Sequence, residues 1–344
     1  MSKVIIGTGS DLPTRIITNE QIEASSMDYD RARAGASLHE WTMARTGVAL
    51  RHRVGPGEGT SDMATRAARR ALDDAGIGSE EIDIIVLSTF TSDYRLPQSV
   101  SIVQRNLGCE AKCFQLEAAC AGFIDAIITA SALLDALHVR TALVVSSEAM
   151  SAVVDSERFM CQTIFGDGAG AVVLRDIPGS RYGLKAYVSH TRGRDCEWTR
   201  APGGGTKAPI TERVLAERSQ YLEIEYRNVY RFAVDHMVES THEVLRRAGV
   251  ALSDVDWIVP HQAGRNVLVE MATRLDLPLE RFCICLDHTG NTSSASIPIA
   301  LDEACRASTF CDGARVVIPA VGAGMAWGAL YLIWADHASL GART

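Results

Sequence analysis

The chain has 344 residues, of which 47% are hydrophobic and 22% are charged, values typical of a globular protein and not of a disordered one. This length favours two domain-sized units or one large duplicated unit. The formal net charge of −8 disfavours a nucleic-acid-binding protein, because a duplex-binding surface needs an excess of basic residues. We therefore expect no nucleic-acid partner.

The first nine residues are too short and too rich in glycine for a signal peptide, and they predict a strand that enters a turn. The longest apolar region, 121–139, is interrupted by Asp125, Asp135 and His138. This pattern predicts a buried helix and not a membrane span. Without an export signal the expected location is the cytoplasm, and we expect no membrane partner.

The chain contains nine cysteines, an odd number that argues against a disulfide framework when no secretion signal is present. The pairs Cys109/Cys113 and Cys283/Cys285 have spacings that could hold a metal, but neither has a CxxC partner or a His pair at zinc-finger spacing. We therefore expect no metal site, and most of these thiols should be small buried hydrophobic groups.

An internal repeat is the clearest sign of how the chain is organised. Residues 71–77 resemble residues 244–250, at an offset of 173, and the similarity continues without a gap from 81–86 to 254–259. Each copy predicts an amphipathic helix that ends at a glycine, then a short acidic connector and an apolar strand. Apolar strands that alternate with helices predict sheets covered on both faces, and hence two similar α/β halves.

The predicted boundary between the halves lies at 176–182, where Pro178, Gly179 and Ser180 interrupt the pattern. We assign residues 1–178 to an N-terminal half and residues 179–344 to a C-terminal half.

A second similarity supports the duplication. Two extended runs each lead into an apolar helix: 114–120 into 121–137, and 282–291 into 293–307. Cys120 and Asn291 are therefore predicted to occupy corresponding places, where a strand meets a buried helix in each half.

Cys120 is the candidate nucleophile. A helix N-terminus offers unpaired N–H groups and a partial positive charge, which favour the thiolate over the thiol. The neighbours Ala118, Ala119, Ala121 and Gly122 are small and leave room for a substrate and for N–H groups that could hold an oxyanion. The alternative is a buried structural cysteine.

His261 and Asn291 are further candidates. His261 follows the strand predicted at 257–259, and loops at the carboxyl ends of strands carry the sites of α/β folds. A neutral imidazole there could act as a base or as an oxyanion donor. The alternatives are a structural histidine and, for Asn291, a helix cap.

Two other stretches of the chain are rich in glycine. Residues 166–170 lack both the GxGxxG spacing before a helix and a Walker lysine, so they predict a tight turn and not a phosphate site. The glycines of 321–328 would allow the backbone to come close to a ligand or to another strand.

Six stretches in order along the chain resemble the ketoacyl-ACP synthase III (KAS III) group of the thiolase superfamily. They are WTMARTGV from Trp41, AACAGF from Ala118, FGDGAG from Phe165, VPHQA from Val259, GNTSSASIP from Gly290 and GAGMAWG from Gly322. No single stretch is decisive, but the ordered set spans nearly the whole chain and is very specific.

The resemblance implies an α/β, five-layer αβαβα fold of two pseudo-symmetric halves, a homodimer and an acyltransferase. It implies that Cys120 attacks an acyl-CoA, while its own N–H and that of Ala323 hold the oxyanion. Malonyl on an acyl carrier protein would then lose CO2, with His261 and Asn291 stabilising the enolate that attacks the acyl-Cys120 thioester. No cofactor is implied, since acyl-CoA is a substrate.

By the same likeness, Trp41 and Arg45 would lie along the CoA channel. Arg158 is close to a third CoA contact, although it is one residue out of register. Leu96 matches the position at which the partner subunit closes the acyl pocket.

The chain also departs from the family pattern. It has an extra stretch, 28–35, beside the expected entrance; Glu117 replaces a small residue, Gly264 replaces Asn, and Ala323 replaces the middle glycine of the oxyanion turn. These departures favour a specialised role, such as polyketide assembly. They leave two alternatives: acyl transfer to a hydroxyl, amine or carrier thiol without decarboxylation, and an inactive partner in a heterodimer.

Overall fold

The computed structural model describes residues 3–336. The strands are β1 (Lys3–Asp11), β2 (Arg15–Thr18), β3 (Leu50–Arg53), β4 (Ile84–Ser88), β5 (Lys112–Leu116), β6 (Thr141–Glu148), β7 (Gly168–Asp176), β8 (Gly183–Thr191), β9 (Thr199–Arg200), β10 (Glu223–Ile224), β11 (Trp257–Ile258), β12 (Arg315–Gly322) and β13 (Ala326–Ile333).

The helices are α1 (Asn19–Ser25), α2 (Arg31–Ala34), α3 (Leu38–Arg45), α4 (Thr60–Ala75), α5 (Ser99–Leu107), α6 (Gly122–Leu137), α7 (Phe159–Ile164), α8 (Glu212–Ala216), α9 (Tyr226–Ala248), α10 (Arg265–Leu275), α11 (Leu286–Thr289) and α12 (Ser296–Arg306).

Two mixed sheets form the centre of the protein. The first is five-stranded in the order β1-β7-β6-β4-β5, and the second is four-stranded in the order β11-β12-β13-β8. In the first sheet β4 is parallel to both neighbours, and β6 pairs antiparallel with β7. In the second, β11 is parallel to β12, and β12 pairs antiparallel with β13. Residues 177–182 connect β7, in the first sheet, to β8, in the second.

Strand β4 shows how the sequence builds the layers. Its alternate side chains point to opposite faces of the sheet. Ile84 and Val86 pack into the core shared with α6 and α12, whereas Ile85 and Leu87 pack into the core shared with α4 and α5. The continuous apolar run is therefore buried on both faces, as a sheet covered on both sides requires.

Three layers of helices enclose the two sheets. Helices α6 and α12 lie between the sheets, α4 and α5 cover the outer face of the first sheet, and α9 and α10 cover that of the second. The five-layer αβαβα fold predicted from the sequence is confirmed.

Helix α6 is the buried helix predicted from the apolar region 121–139. The window Ala119–Leu137 is long and apolar enough to cross a membrane by composition. Its residues Phe123, Ile124 and Ile127, however, pack between the two sheets. We therefore assign it to the core of the fold.

The structure reproduces the repeat at its first helix. Helices α4 and α9 both end at a glycine, Gly76 and Gly249, and both glycines have φ 67° and ψ 32°. This left-handed conformation favours glycine, because a Cβ would be strained there.

The prediction of an extended run over 282–291 is wrong, because α11 occupies its second half. The run pairs with β11 only at its start, where the Cys283 N–H donates to the Ile258 carbonyl at 2.9 Å. The side chain of Gln262 bonds to Cys283 and Cys285. It accepts a hydrogen bond from the Cys285 N–H at 3.2 Å and donates to the Cys283 carbonyl at 3.1 Å. The strand predicted at 257–259 is also shorter and ends at Ile258.

The predicted correspondence of Cys120 with Asn291 is wrong as well. Short 3-10 turns, Ala119–Ala121 and Ser293–Ala295, lead into α6 and α12, and each begins with a left-handed residue: Ala119 at φ 44° and Ser293 at φ 53°. Their separation is 174 residues, one more than the offset of the first repeat. Cys120 therefore corresponds to Ser294, whereas Asn291 precedes its turn by two residues.

Candidate active site

Residues from both halves line one cavity of about 540 Å³. The first half contributes Cys120 and the second half contributes His261 and Asn291, so the structure brings the three predicted residues together. Most of the surrounding wall is apolar, including Phe90, Met150, Val153, Ile164, Leu222 and Ile224. The cavity can therefore hold an apolar group beside a thiol, an imidazole and an amide.

Cys120 lies in the 3-10 turn before α6, with its Sγ 3.2 Å from the Oγ of Ser293. The end of β12 packs against the same turn. A Cβ added to Gly322 would lie 2.8 Å from the amide nitrogens of both Cys120 and Ala121. Only glycine allows β12 to come this close, and Ala323 follows it directly at the cavity wall.

The predicted effect of the turn on the thiolate is present but outweighed: burial raises the pKa of Cys120 more than its backbone hydrogen bond lowers it. Burial raises the pKa of Cys120 to about 12, and the nearby carboxylate of Glu148 also raises it. The hydrogen bond with Ser293 acts in the opposite direction. The group is therefore a thiol at neutral pH and must lose its proton during attack.

His261 follows β11 and is buried, with 2% of its surface exposed. Burial lowers its pKa to about 4, although a hydrogen bond with the Ser293 backbone acts in the opposite direction. The imidazole is therefore neutral at pH 7. Its Nδ1 lies 2.8 Å from the Oγ of Ser296, which accepts a hydrogen bond from the Gln262 N–H at 3.3 Å. The Ser296 hydroxyl can thus donate to Nδ1, which places the imidazole proton on Nε2.

Asn291 lies between two segments of backbone. Its N–H donates to the Ile164 carbonyl at 2.8 Å, and its carbonyl accepts from the Gly166 N–H at 3.2 Å. Its side-chain Oδ1 accepts from the Ser293 N–H at 2.8 Å. This contact orients the amide and leaves Nδ2 as a hydrogen-bond donor at the cavity wall.

The three residues predicted along a CoA channel lie outside the cavity wall. The Trp41 ring packs edge to face on Phe159, with centroids 5.2 Å apart, and the Arg45 guanidinium lies 4.3 Å from the Trp41 ring centroid. The Arg158 side chain is 69% exposed and lies 3.6 Å from the carboxylate of Asp155.

Leu96, predicted to close the acyl pocket of a partner subunit, does not line the cavity of its own chain. It is 85% exposed in the segment between β4 and α5, near Tyr94, which is 63% exposed.

The extra stretch 28–35 forms a short lobe that contains α2 and packs on the residues before α7. The Tyr29 ring meets that of Phe159 with centroids 5.1 Å apart, and the Asp28 carboxylate accepts from the Phe159 N–H at 2.9 Å. The Met27 N–H donates to the Glu157 carbonyl at 3.0 Å. The lobe therefore covers Phe159, the residue that also holds Trp41.

Two other departures also lie near the site. Glu117 is exposed and lines the cavity. Gly264 precedes α10 with a φ of 149°, a conformation that a side chain would strain.

Three polar residues near the site were not predicted from the sequence: Glu148 and Ser293, which act on the thiol, and Ser296, which contacts His261. The serines belong to the run Ser293–Ser296, whose hydroxyls face different partners, and this run is a signal that could have been followed. Glu148 ends an apolar strand, and nothing local distinguishes it from a surface carboxylate. Within residues 3–336, no cluster of three or more His, Cys, Asp or Glu side chains is placed to hold a metal ion.

Comparison with known proteins identifies the family. Models of 3-oxoacyl-[acyl-carrier-protein] synthase III match residues 114–193, and models of the C-terminal part of the same synthase match residues 245–334. A beta-ketoacyl-[acyl-carrier-protein] synthase III from Rhizorhabdus wittichii is 38% identical over 327 residues, which cover 95% of this chain and 97% of that protein. The chain belongs to the 3-oxoacyl-[acyl-carrier-protein] synthase III family.

Solved structures agree with this assignment. The 3-oxoacyl-(acyl carrier protein) synthase III of Pseudomonas aeruginosa has a TM-score of 0.87 at 33% identity, covering 98% of this chain and 99% of that one. The priming beta-ketosynthase of the R1128 polyketide pathway has a TM-score of 0.85 at 30% identity, covering 97% and 96%. The KAS III resemblance is confirmed, and acyl transfer without condensation is not favoured by these relatives.

Proposed function

We propose that this member of the KAS III family forms an acyl thioester on Cys120 and condenses it with malonyl on an acyl carrier protein, with loss of CO2. The observation that carries the proposal is the meeting of Cys120, His261 and Asn291 at one largely apolar cavity. The overall reaction is an acyl transfer that ends in a new carbon–carbon bond.

In the first step, the Cys120 sulfur attacks the thioester carbonyl of an acyl-CoA. The carbonyl oxygen becomes an oxyanion, held by the N–H groups of Cys120 and Ala323. The close approach of Gly322 to the Cys120 turn supports this role, since it brings the two backbone segments together. The carbonyl reforms as the CoA sulfur leaves; the proton that Cys120 gives up passes to this sulfur, so CoA departs as a thiol and the acyl group stays on Cys120.

In the second step, malonyl on the carrier protein loses CO2, and the electron pair of the broken bond forms an enolate. His261 Nε2–H and Asn291 Nδ2 are the two donors that stabilise the enolate oxygen. The neutral imidazole and the fixed amide orientation support these roles. The enolate carbon then attacks the acyl carbonyl, and Cys120 leaves as the product forms.

The proposal extends to the assembly and its substrates. Exposed Leu96 supports a homodimer in which this residue closes the partner's acyl pocket. CoA would bind along a channel past Trp41, Arg45 and Arg158. The boundary between the two halves would lie near residue 178. The likeness to a priming ketosynthase of polyketide biosynthesis supports a specialised pathway. A cytoplasmic location fits these substrates.

Mass spectrometry tests the first step. The intact protein is incubated with acyl-CoAs of increasing chain length, and Cys120→Ala serves as control. We expect a mass increase equal to one acyl group on the wild type and none on the variant. No adduct with any acyl donor would contradict the proposal.

A second assay tests the condensation. Malonyl carrier protein is added to the acylated enzyme, and we expect CO2 and a ketoacyl product in equal amounts. Acyl transfer to the carrier without CO2 would instead support the non-decarboxylating alternative.

A further inference from the structure

Glu148 is a carboxyl group completely buried behind the active site, at the end of β6. Its four hydrogen-bond donors are uncharged. On one side they are the hydroxyl of Thr91 at 2.6 Å, the hydroxyl of Thr89 at 3.2 Å and the N–H of Phe90 at 3.3 Å. On the other side the hydroxyl of Ser294 donates to Oε1 at 2.9 Å. A buried carboxyl without a cation is costly, and such groups concentrate at functional sites.

The directions of these hydrogen bonds are set by the backbone. The Thr91 hydroxyl accepts from the Ala149 N–H at 2.9 Å, and the Thr89 hydroxyl accepts from the Thr91 N–H at 3.1 Å. Each hydroxyl keeps its own proton for donation, and Glu148 is the nearest acceptor of the Thr91 hydroxyl, at 2.6 Å. The carboxyl group thus accepts hydrogen bonds from the N-terminal half and from the C-terminal half at the same time.

Ser294 is linked to the Cys120 thiol through its neighbour in the chain, Ser293. Ser293 precedes Ser294 and has a φ of 53°, a conformation that surrounding contacts must hold. Its Oγ lies 3.2 Å from the Cys120 Sγ, and its N–H donates to Asn291 Oδ1 at 2.8 Å. The turn that Glu148 holds is therefore the turn that meets both Cys120 and Asn291.

We propose that Glu148 is a positioning residue for the condensing reaction: through Ser294 it holds the turn Ser293–Ala295 against the Cys120 thiol, and it keeps its own carboxyl group one hydrogen bond away from that turn. The inference rests on the proposed function, since it assigns Glu148 a role in the reactivity of Cys120.

The charge of Glu148 acts on the same thiol. Burial raises the pKa of Glu148 to about 7, while its hydrogen bonds oppose this effect. The carboxylate in turn raises the pKa of Cys120. Within residues 3–336, the groups that face Glu148 are the hydroxyls of Thr91, Ser294 and Thr89 and the N–H of Phe90, and the titratable group on which its charge acts is Cys120. Removing the charge should therefore lower the pH at which the thiol becomes reactive.

Two substitutions separate position from charge. Glu148→Gln keeps the length of the side chain and removes the charge, whereas Glu148→Asp keeps the charge and shortens the reach to Ser294. The chain has nine free cysteines, of which Cys196 and Cys311 are exposed, so the readout must be specific for Cys120. Alkylation by iodoacetamide from pH 6 to 10, followed by digestion and mass spectrometry of the peptide that carries Cys120, reports this thiol without any acyl donor. We expect Glu148→Gln to react about threefold faster than the wild type at pH 8, and Glu148→Asp to react no faster.

The acyl-transfer assay tests the positioning role of Glu148. We expect Glu148→Asp and Ser294→Ala to slow acylation about tenfold, because each loses a hydrogen bond that holds the turn, and Glu148→Gln to slow it less. Asp302→Asn is the control for loss of a buried carboxyl group away from the thiol: Asp302 accepts from the hydroxyls of Thr8 and Ser10 and, unlike Glu148, also pairs with Arg306 at 3.0 Å. It should leave the alkylation profile unchanged.

An unchanged alkylation profile in Glu148→Gln, or wild-type acylation in Ser294→Ala, would overturn the inference. Failure of every donor to acylate the wild type would instead contradict the proposed function, and the alkylation profiles would still decide the role of Glu148.

Discussion

Cys120 and Ser293 come from different halves of the chain, and their side chains meet at 3.2 Å between Sγ and Oγ. Each lies in a 3-10 turn that leads into one of the two helices buried between the sheets. The centre of the protein is therefore an interface between two similar turns. The environment of the thiol depends on how the halves pack.

Replacing Ser293 should make the thiol less acidic. The Ser293 hydrogen bond lowers the pKa of Cys120, so Ser293→Ala should raise it. A hydrogen bond to a charged group contributes about 1.5–3 kcal/mol, which corresponds to one pKa unit or more. We expect iodoacetamide alkylation at pH 8 to slow roughly tenfold. Ser25→Ala, an exposed serine on α1, is the control, and faster alkylation in Ser293→Ala would contradict this prediction.

Adding a methyl group at Gly322 should damage the oxyanion turn. The new Cβ would lie 2.8 Å from the amide nitrogens of Cys120 and Ala121, so the two segments must move apart. Loss of an oxyanion donor costs about 10²-fold in rate. We expect Gly322→Ala to acylate about 10²-fold more slowly in the intact-mass assay. The control is Gly205→Ala, because a Cβ there meets nothing within 4 Å, and equal slowing in both variants would refute the assignment.

His261 should make the protein less stable as the pH falls. Its folded pKa, about 4, is below the ordinary value of 6.5, so the unfolded chain binds a proton in this range that the folded chain does not. The penalty is absent above pH 6.5, grows as the pH falls towards 4, and reaches about 3 kcal/mol at most.

Urea unfolding at pH 7 and pH 5 measures this effect. We expect the midpoint of the wild type to fall more between these pH values than that of His261→Asn. Parallel changes in the two proteins would show that another group is responsible.

The contact between the Tyr29 and Phe159 rings should stabilise the lobe 28–35. The Tyr29 and Phe159 rings pack edge to face at 5.1 Å, a geometry that contributes about 0.5–1.5 kcal/mol beyond burial. A double-mutant cycle of Tyr29→Leu and Phe159→Leu, measured by urea unfolding, should give a coupling energy in this range. Tyr94→Leu, exposed elsewhere, should not couple to Phe159→Leu. Additive effects of Tyr29→Leu and Phe159→Leu would mean that the rings do not interact.

The layers of the fold were predictable because their signals are local. The apolar run at Ile84–Leu87 requires cover on both faces of its strand, and the glycines 76 and 249 end two helices in the same conformation. The candidate residues Cys120, His261 and Asn291 were named from the sequence, but their local positions left structural alternatives open, and the ordered family motifs favoured the three as a set. The extended run predicted at 282–291 was wrong, because only its start pairs with β11, and the Gln262 side chain bonds to the Cys283 carbonyl and the Cys285 N–H.

The sequence by itself determined that the chain is a duplicated α/β protein with a thiol, an imidazole and an amide in places suited to chemistry. Only the tertiary structure decided the state of those groups. The pKa of Cys120 depends most on burial, and Ser293 and Glu148, which also change it, are both distant from it along the chain. Helix position alone predicted a thiolate, but desolvation depends on everything packed around the sulfur, and that environment exists only once the two halves have closed on each other.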